Sequence, residues 1–333
     1  MPGVNNDADC AKSDALAAVD AGCGDTADAA SADAALLVTG ALHLDLIGRL
    51  VGPHRPAASN PVHFAASPGG VGANVARAIA AAGHACHLVC PAGLGEIDPT
   101  LALPGVDITR VPVADQAAGR YVAILDDAGE LVAGYSDTLA CESADVEALV
   151  AAASPIRAAA LMLVLEANLS ASAIAALIEA GDGPVVALAV SPHKAQRLAP
   201  RANEIDLLFC NRREALALTQ AAPTASLDTL ADALQRCGFG RVVLTDGPAG
   251  LMVVEPGTRC AVDAPALGSH EMRGVNGAGD ALAGATLATL AKTPGSVADA
   301  LERTDGSAGR RTALAEAVAG AGCRAALDIL LAR

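Results

Sequence analysis

Short apolar runs alternate with helix-like segments between residues 143 and 255, in units of about 30 residues. The runs AALMLVLE, PVVALAV, IDLLFC and RVVLTDG are predicted strands, and the segments between them are predicted helices. Strand–helix units of this length imply a parallel sheet with helices on both faces. We therefore predict an α/β fold with a mainly parallel central sheet.

Polar residues stand where these predicted strands end or where the next helices begin. Each of them alone is a plausible helix cap or turn residue. In parallel sheets, however, ligands bind beyond the carboxyl ends of the strands, so together these residues predict one rim of a binding site. They are Glu166, Asn211, Glu214, Thr245 and Asp280.

The stretch from Arg273 to Leu290 carries the tripeptide Gly277-Ala278-Gly279, then Asp280 and a run of small and apolar residues. The run predicts a helix of about four turns. The glycines then lie at a helix N-terminus, where free backbone N–H groups and the helix dipole favour an anion. A carboxylate repels such an anion, which is tolerable if Asp280 takes a proton from a hydroxyl that attacks a phosphoryl group. A Gly-rich loop with an acidic first turn is the alternative that this stretch leaves open.

A second glycine-rich segment is also predicted to open a helix. Gly69 and Gly70 stand just before this helix, and Asn74 lies one turn inside it. The dinucleotide-binding pattern G-x-G-x-x-G is met only in part, because Val75 occupies the third glycine and Pro68 stands where a strand should end. A nicotinamide-dependent dehydrogenase is therefore the weaker interpretation.

Two other segments place polar groups in apolar surroundings. Asp45 interrupts an apolar stretch, where a carboxylate is costly unless it is paired, hydrogen-bonded or functional; a turn residue or cap is the alternative. Between His84 and Cys90 there are four His and Cys residues, but strand alternation separates His87 from Cys86 and Cys90. Because no standard zinc pattern has this spacing, we predict a core strand with buried thiols.

The composition excludes several classes of function. The chain has 333 residues, enough for one large α/β domain or two ordinary ones, and 53% of them are hydrophobic. A net charge of −15 argues against nucleic acid or an anionic membrane as a partner. Nine scattered cysteines without a CxxC pair fit a reducing cytosol, and no signal peptide or membrane span is recognised. A soluble cytoplasmic protein is expected.

The basic residues restrict how this chain can handle phosphate. Only three lysines occur, Lys12, Lys194 and Lys292, and no G-x-x-x-x-G-K-[ST] loop is present. A P-loop kinase is therefore excluded. An enzyme of this composition is expected to neutralise phosphate charge with arginine, metal ions and helix N-termini.

The chain is predicted to have one folded body behind a tail. Residues 1–34 are rich in Ala, Asp and Gly and are expected to be disordered, whereas residues 35–333 carry the apolar patterns. Residues 119–136 predict a β-hairpin outside the regular alternation. Such a hairpin either covers a site as a flap or is an addition at the edge of the fold that takes no part in the site.

From about Ala35 onward the chain resembles the PfkB-type carbohydrate kinases, also called the ribokinase-like family. The two most specific matches are the segment from Ser67 to Asn74, which is similar to the N-terminal glycine motif of the family, and Gly277-Ala278-Gly279-Asp280, which is similar to its C-terminal signature. Asp45, Glu166, the Asn211-x-x-Glu214 pair and residues 245–250 are supporting matches.

The resemblance implies a ribokinase-like kinase that uses ATP and Mg²⁺, with a monovalent cation such as K⁺ as a further cofactor. Asp280 resembles the base that deprotonates the acceptor hydroxyl, and the amides of Gly277, Ala278 and Gly279 resemble the anion hole for the γ-phosphoryl group. The remaining implied roles are substrate binding by Asp45, Gly69, Gly70, Asn74 and Glu166, nucleotide binding by Asn211, Thr245, Gly247 and Gly250, and binding of the metal, through water, by Glu214.

The same resemblance implies a small β lid, formed by segments around 43–66 and 106–136. In relatives this lid often makes dimer contacts, so a homodimer through the lid is expected. The implied partner is a small sugar or nucleoside, and neither nucleic acid nor a membrane.

The sequence departs from the family pattern in two places. Gly274 and Val275 stand where the C-terminal signature usually has Asp-Thr, which affects the affinity for a monovalent cation or metal. His43 replaces a polar residue, often Asn, that ribose-binding relatives carry two positions before the aspartate. The second departure argues against ribose itself.

The acceptor is the least constrained property. Asn60-Pro61 together with the N-terminal glycine motif is most similar to pseudouridine kinases, which phosphorylate the 5′-hydroxyl of a C-nucleoside, although many of those have Arg where Ala73 stands. Adenosine, ribose and fructose phosphate stay open as acceptors. A nucleoside-binding protein without turnover is the other alternative, supported by Gly274 and Val275.

Overall fold

The computed structural model describes residues 34–94, 103–117, 119–264, 277–293 and 312–331. The predicted tail and the departures at Gly274 and Val275 lie outside these ranges, except for residue 34 itself. None of the helices in the described ranges has the length and apolar character that a bilayer crossing needs.

The strands of the described residues form two sheets. In chain order they are β1 (Leu36–Thr39), β2 (His43–Leu50), β3 (Val62–Gly69), β4 (Cys86–Leu94), β5 (Val106–Ala117), β6 (Arg120–Leu125), β7 (Leu131–Asp137), β8 (Leu163–Glu166), β9 (Val185–Leu188), β10 (Leu207–Asn211), β11 (Val242–Thr245), β12 (Leu251–Glu255) and β13 (Thr258–Val262). The larger sheet has the order β13-β12-β11-β10-β9-β8-β1-β4-β5, and the smaller one has the order β3-β2-β6-β7. In the larger sheet only β12 and β13 pair antiparallel to their neighbours.

The helices of the described residues are α1 (Val71–Ala81), α2 (Leu139–Glu142), α3 (Val146–Arg157), α4 (Ala171–Glu179), α5 (Pro192–Ala195), α6 (Arg212–Thr219), α7 (Leu227–Arg236), α8 (Ala278–Ala291), α9 (Ala313–Ala317) and α10 (Cys323–Leu330). A 3₁₀ segment, Gln196–Glu204, follows α5, a short one, Gly247–Ala249, follows β11, and a π-helical segment, Val318–Gly322, joins α9 to α10. Several helices begin at the side-chain caps that their sequences provide; Ser170 Oγ, for example, accepts from Ala173 N at 3.2 Å.

The central strands are covered on both faces because successive residues point to opposite sides. Leu36 and Val38 of β1 join a core that includes residues of α1, α8 and α9. Leu37, between them, joins a second core that includes residues of α3, α4 and α7. The predicted α/β class, with a mainly parallel sheet between helices and a small additional sheet, is confirmed.

The predicted hairpin is present as the antiparallel pair β6–β7 of the smaller sheet. The segment around 106–136, which is predicted to belong to the β lid, is nevertheless divided between the two sheets. β5 pairs in parallel with β4 at the edge of the larger sheet, and its Val111 and Val113 are buried. The apolar alternation of β5 thus fits the main body, while β2, β3, β6 and β7 form the separate sheet.

Residues Cys86 to Cys90 of the segment that begins at His84 belong to β4, which is a core strand, as the alternation predicts. Cys86 and Cys90 are buried, whereas His87 Nε2 lies 2.8 Å from Thr109 Oγ1 of the neighbouring strand. In the described ranges no group of three or more His, Cys, Asp and Glu residues could hold a metal ion.

Helix α8 packs against α1 at very short range. Eight consecutive residues of α8, from Ala281 to Ala288, are buried, so this helix has protein on all sides. A Cβ added to Gly284 would lie 2.5 Å from Ala78 Cβ and 2.7 Å from Val75 O, both in α1. Glycine at this position therefore allows the two helices to approach each other.

Gly284→Val is expected to lower the free energy of unfolding by about 1–3 kcal/mol, because the added side chain forces α1 and α8 apart. This is the opposite of the gain of about 1 kcal/mol that replacing a helix glycine by a better helix former usually gives. The measurement is denaturant unfolding followed by circular dichroism. Gly240→Ala is the matched control, since a Cβ there meets no atom within 4 Å. Equal stability of the Gly284 variant and the parent would contradict the close packing.

Candidate active site

A cavity of about 600 Å³ lies at the carboxyl ends of β8, β9, β10 and β11. This is where a mainly parallel sheet is expected to bind its ligand. It extends from these strand ends to the N-termini of α1 and α8 and to the smaller sheet. Its polar lining residues are His43, Asn74, Tyr121, Ser136, Thr138, Asn168, Ser191, Lys194, Asn211, Glu214, Thr245 and Asp280, and its glycines are Gly70, Gly277 and Gly279.

The N-terminus of α8 opens directly into this cavity. Gly277 caps the helix with φ +84°, a left-handed conformation that glycine adopts without strain. Its carbonyl accepts from Ala281 N at 2.8 Å, which is the first hydrogen bond of the helix. The amides of Ala278, Gly279 and Asp280 precede that bond and have no partner within the helix. They include the amides of Ala278 and Gly279, two of the three amides predicted to form the anion hole, and that role stays a prediction.

Asp280 lies in the first turn of α8 and is held by Asn74 of α1. Asn74 Nδ2 donates to Asp280 Oδ2 at 2.9 Å. The pKa of Asp280 is raised to about 7, mainly by burial and also by the nearby Glu166 and Glu214, against the opposing effects of Asn74 and Arg77. A carboxylate that titrates near neutral pH is suited to accept a proton from a hydroxyl.

Asp45 is absent from the residues that line the cavity. Its Oδ1 is 3.1 Å from Nε2 of His43, and His43 does line the cavity. A Cβ at Gly69 would overlap with the Asp45 carboxylate, so Gly69 makes room for that side chain. The predicted substrate contacts of Asp45 and Gly69 stay predictions, because neither residue is among those that line the cavity.

Glu166 is buried and outside the cavity lining. Its Oε1 accepts from Ala41 N at 2.6 Å, and its Oε2 accepts from Asn168 N at 2.7 Å. Burial raises the pKa of Glu166, while these two hydrogen bonds lower it. The side chain therefore joins the loop after β1 to the end of β8. Its role in substrate binding stays a prediction.

Asn211 and Glu214 line the cavity together and form a reciprocal cap on α6. Glu214 N donates to Asn211 Oδ1 at 3.0 Å, and Asn211 N donates to Glu214 Oε2 at 2.8 Å. Asn211 Nδ2 also donates to Glu214 Oε1 at 2.7 Å. Burial raises the pKa of Glu214, and the hydrogen bonds from the backbone and the side chain of Asn211 lower it. Both residues are thus fixed at the helix start, with the carboxylate beside the open space.

The end of β11 and the turn after it contain three of the four residues predicted to bind the nucleotide. Thr245 lines the cavity, whereas Gly247 and Gly250 lie beyond it. Gly250 O accepts from Asp246 N at 2.8 Å, which closes the turn. The structure thus brings together eight predicted residues, namely Gly70, Asn74, Asn211, Glu214, Thr245, Gly277, Gly279 and Asp280. It leaves Asp45, Gly69, Glu166, Gly247, Gly250 and Ala278 outside the lining.

Lys194 is the principal lining residue that the sequence does not predict. Its Nζ donates to Asn168 Oδ1 at 2.6 Å and to Thr138 Oγ1 at 2.7 Å, and it lies 3.5 Å from Glu142 Oε1. The expectation that only arginine, metal ions and helix N-termini supply positive charge is therefore incomplete. The sequence signal that could have identified Lys194 is its position, because it follows the helix cap Ser191 just after the end of β9.

The side chains that the smaller sheet contributes are also absent from the prediction. Tyr121 and Ser136 face the cavity from β6 and β7, next to Thr138. They are paired across the two strands. Hairpin alternation fixes which residues share a face, but only the position of the sheet decides which face lines the cavity.

Comparison with known proteins gives matches along most of the chain. Residues 33–312 match the family described as pfkB family carbohydrate kinase. The pseudouridine kinase of Escherichia coli (strain K12) is 27% identical over 255 residues, which are 74% of this chain and 80% of that protein. A carbohydrate kinase from Agrobacterium tumefaciens is 27% identical with a TM-score of 0.66, over 86% of this chain and 97% of its own. Ribokinase from Arabidopsis thaliana, solved in complex with ribose and ATP, is 19% identical with a TM-score of 0.60, over 89% and 98%.

Proposed function

The chain belongs to the pfkB family of carbohydrate kinases and is a phosphotransferase that acts on a sugar or nucleoside hydroxyl, and we propose that pseudouridine is its acceptor and ATP its donor. The observation that carries the proposed phosphoryl transfer is the position of Asp280. Its carboxylate stands in the first turn of α8, beside the free amides of the same helix and inside the same cavity.

In the proposed reaction Asp280 removes the proton from the acceptor hydroxyl as this oxygen attacks the γ-phosphorus. The bond between the γ-phosphorus and the β–γ bridging oxygen breaks, and ADP leaves. The amides of Gly277, Ala278 and Gly279 stabilise the negative charge on the transferred group, because they are already oriented and need no reorganisation. The chain thus supplies alignment, proton acceptance and charge stabilisation, which are what phosphoryl transfer requires.

The nucleotide is proposed to lie over the ends of β10 and β11. Asn211, Glu214 and Thr245 line this side of the cavity, which continues to the amides of α8. The ribokinase of Arabidopsis thaliana was solved with ribose and ATP, which supports ATP as the donor for this fold. Gly247 and Gly250 hold the adjoining turn, and we propose that they bind the nucleotide through that turn.

Mg²⁺ fits this side of the site through Glu214. Each Glu214 oxygen accepts from Asn211 and keeps a lone pair for a metal-bound water. When bound, Mg²⁺ neutralises charge on the phosphates. Because the described ranges contain no cluster of three ligand-type residues, the ion is proposed to take most of its ligands from phosphate and water. The K⁺ proposal concerns Gly274 and Val275, which lie outside the described residues.

The acceptor is proposed to lie between α1 and the smaller sheet. Gly70 and Asn74 approach this space from α1, and His43 and Tyr121 line it from the smaller sheet. These polar groups suit a ligand with several hydroxyls and a base. Similarity to the pseudouridine kinase of Escherichia coli supports pseudouridine over other acceptors. Asp45, Gly69 and Glu166 are not among the lining residues, and we propose that they contact the acceptor when it is bound.

The smaller sheet is proposed to be a lid through which two copies of the chain associate. Phe64 and Ile124 lie over Gly48 on the same face of this sheet, and Tyr135 pairs with Val122 on that face. Phe64 is 59% exposed and Tyr135 is 67% exposed. An apolar sheet face that a single chain leaves open is typical of an interface, and a second copy supplies a matching face by two-fold symmetry.

Phe64→Glu is expected to convert this dimer into a monomer, since it places a charge in the apolar interface. The measurement is light scattering after size-exclusion chromatography at several protein concentrations. Ile329→Glu is the matched control, because Ile329 is exposed on α10. A parent protein that is monomeric at every concentration would contradict the proposed association.

Asp280→Asn is expected to lower kcat by about 10²–10⁴-fold, because the amide can no longer accept a proton. For the parent, kcat/KM is expected to fall about tenfold per pH unit below the Asp280 pKa of about 7. The measurement is ADP release under saturating Mg-ATP across a pH series.

Loss of fold does not explain the expected effect of Asp280→Asn. The pKa of Asp280 is raised above the ordinary value of 3.8 by burial, so the folded state binds more protons than the unfolded state, and stability falls as pH rises from about 4 to about 7. The asparagine removes this cost, so the variant is expected to be at least as stable as the parent at pH 8. Turnover of the variant within a few-fold of the parent would remove Asp280 from the role of base.

The choice of acceptor is tested by incubating the purified protein with Mg-ATP and pseudouridine, uridine, adenosine, ribose or fructose 6-phosphate. Pseudouridine is expected to give the highest kcat/KM, and its product is expected to carry phosphate on the 5′-oxygen, as phosphorus NMR can establish. Uridine is the matched control, because it differs only in the bond between base and ribose. A higher kcat/KM for any other acceptor would overturn the assignment of pseudouridine while leaving the kinase activity intact.

A further inference from the structure

Arg77 lies one helical turn after Asn74 in α1 and contacts it directly. Arg77 Nη1 donates to Asn74 Oδ1 at 3.1 Å, and Arg77 Nη2 donates to Pro68 O at the end of β3 at 2.8 Å. Asn74 in turn donates to Asp280. Arg77 is partly buried and is absent from the cavity lining, and Asn74 hydrogen-bonds to both Arg77 and Asp280.

The three side chains leave the Asn74 amide only one orientation. A guanidinium has donors and no acceptor, so Arg77 must face Oδ1 and not Nδ2. With Oδ1 occupied, Asn74 can only donate to Asp280. A protonated Asp280 would need an acceptor at this contact, and the contact therefore favours the ionised carboxylate over the protonated one.

The positive charge of Arg77 also favours the ionised form of Asp280. Burial lowers the pKa of Arg77, while Asp45 and Asp280 raise it, so the guanidinium lies near both carboxylates. Glu166 and Glu214 are the negative groups that disfavour ionisation of Asp280, and Arg77 is the positive group that opposes them. Lys194 lowers the pKa of Glu166 instead, in another part of the cavity wall.

We propose that Arg77 is a positioning residue for phosphoryl transfer, which fixes the Asn74 amide so that Asp280 is held as an ionised base with Oδ1 directed to the acceptor. This rests on the proposed role of Asp280. The carbonyl of Pro68 anchors the second nitrogen of Arg77, so the arrangement also links the end of β3 to the first turn of α8.

Arg77→Met is expected to lower kcat about 10–100-fold with a smaller change in KM for ATP, because the nucleotide side of the cavity is untouched. The acidic limb of the profile of kcat/KM against pH is expected to move to higher pH, since the ionised base loses its support. Arg77→Lys keeps the charge but not the two-pronged geometry. It is expected to leave the acidic limb near that of the parent and to restore part of kcat. The acceptor is pseudouridine, or the fastest substrate of the screen described above.

Lys292→Met is the matched control for a purely structural effect. Lys292 Nζ donates to Ala82 O at 2.6 Å and so joins the C-terminal ends of the same two helices, α8 and α1. Its loss removes one positive charge and one contact between the helices without reaching the cavity. It is expected to leave kcat and the pH profile unchanged. Thermal unfolding of every variant identifies any loss of fold.

A double-mutant cycle with Asn74→Leu tests whether Arg77 acts through the amide. If it does, Arg77→Met has little further effect on kcat in the Asn74→Leu background, because the two losses are not additive. Fully additive losses would overturn the proposal, as would a parent-like kcat and pH profile for Arg77→Met. An Arg77→Lys profile shifted as far as that of Arg77→Met would also contradict it.

Failure of this inference is distinguishable from failure of the proposed function. If Asp280→Asn abolishes turnover and the Arg77 variants behave like the parent, only the role of Arg77 is wrong. If Asp280→Asn retains turnover, the role of Asp280 as base is wrong, and the role of Arg77 is wrong with it.

Discussion

The close contact between α1 and α8 is the constraint on which the site depends. Gly284 lets the two helices touch through their backbones, and Lys292 joins their C-terminal ends. Their N-termini consequently meet at the cavity, where Asn74 reaches Asp280 across 206 positions of sequence. A buried helix packed on every side cannot turn or slide without creating a cavity or a clash. The position of one carboxylate is thus determined by the packing of a whole helix pair.

Around Asp280 the structure balances opposing electrostatic effects. Burial, Glu166 and Glu214 favour the protonated carboxyl, while Asn74 and Arg77 favour the ionised one. A strongly ionised carboxylate would be a weak base, and a fully protonated one would not be a base at all. A pKa of about 7 lies between these extremes. The same burial that makes the carboxylate useful also destabilises the folded protein, a conflict that is common at active sites.

Much of the fold follows from local patterns in the sequence. The strand–helix alternation predicts the parallel sheet because strands buried on both faces need apolar side chains at every position. Glycines before Asp280 and before Asn74 predict both helix starts, and the Asn211–Glu214 spacing predicts a third. The sequence predicts that residues 106–117 belong to the lid, whereas β5 lies in the larger sheet. Its alternation is compatible with either sheet, and only pairing with β4 decides between them.

The sequence alone therefore determined the alternating strands and helices of the larger sheet and the edge at which a ligand is expected, because these depend on residue periodicity and helix starts. The carboxylate and glycines at the start of α8 indicate the family through their resemblance to its C-terminal signature. The tertiary structure decided which polar groups meet. It buried Glu166 between the loop after β1 and the end of β8, placed His43 beside Asp45, and brought Lys194 into the cavity lining. It also joined Arg77 to Asp280 through an amide. Such contacts depend on how distant segments pack against each other, and no local pattern contains that information.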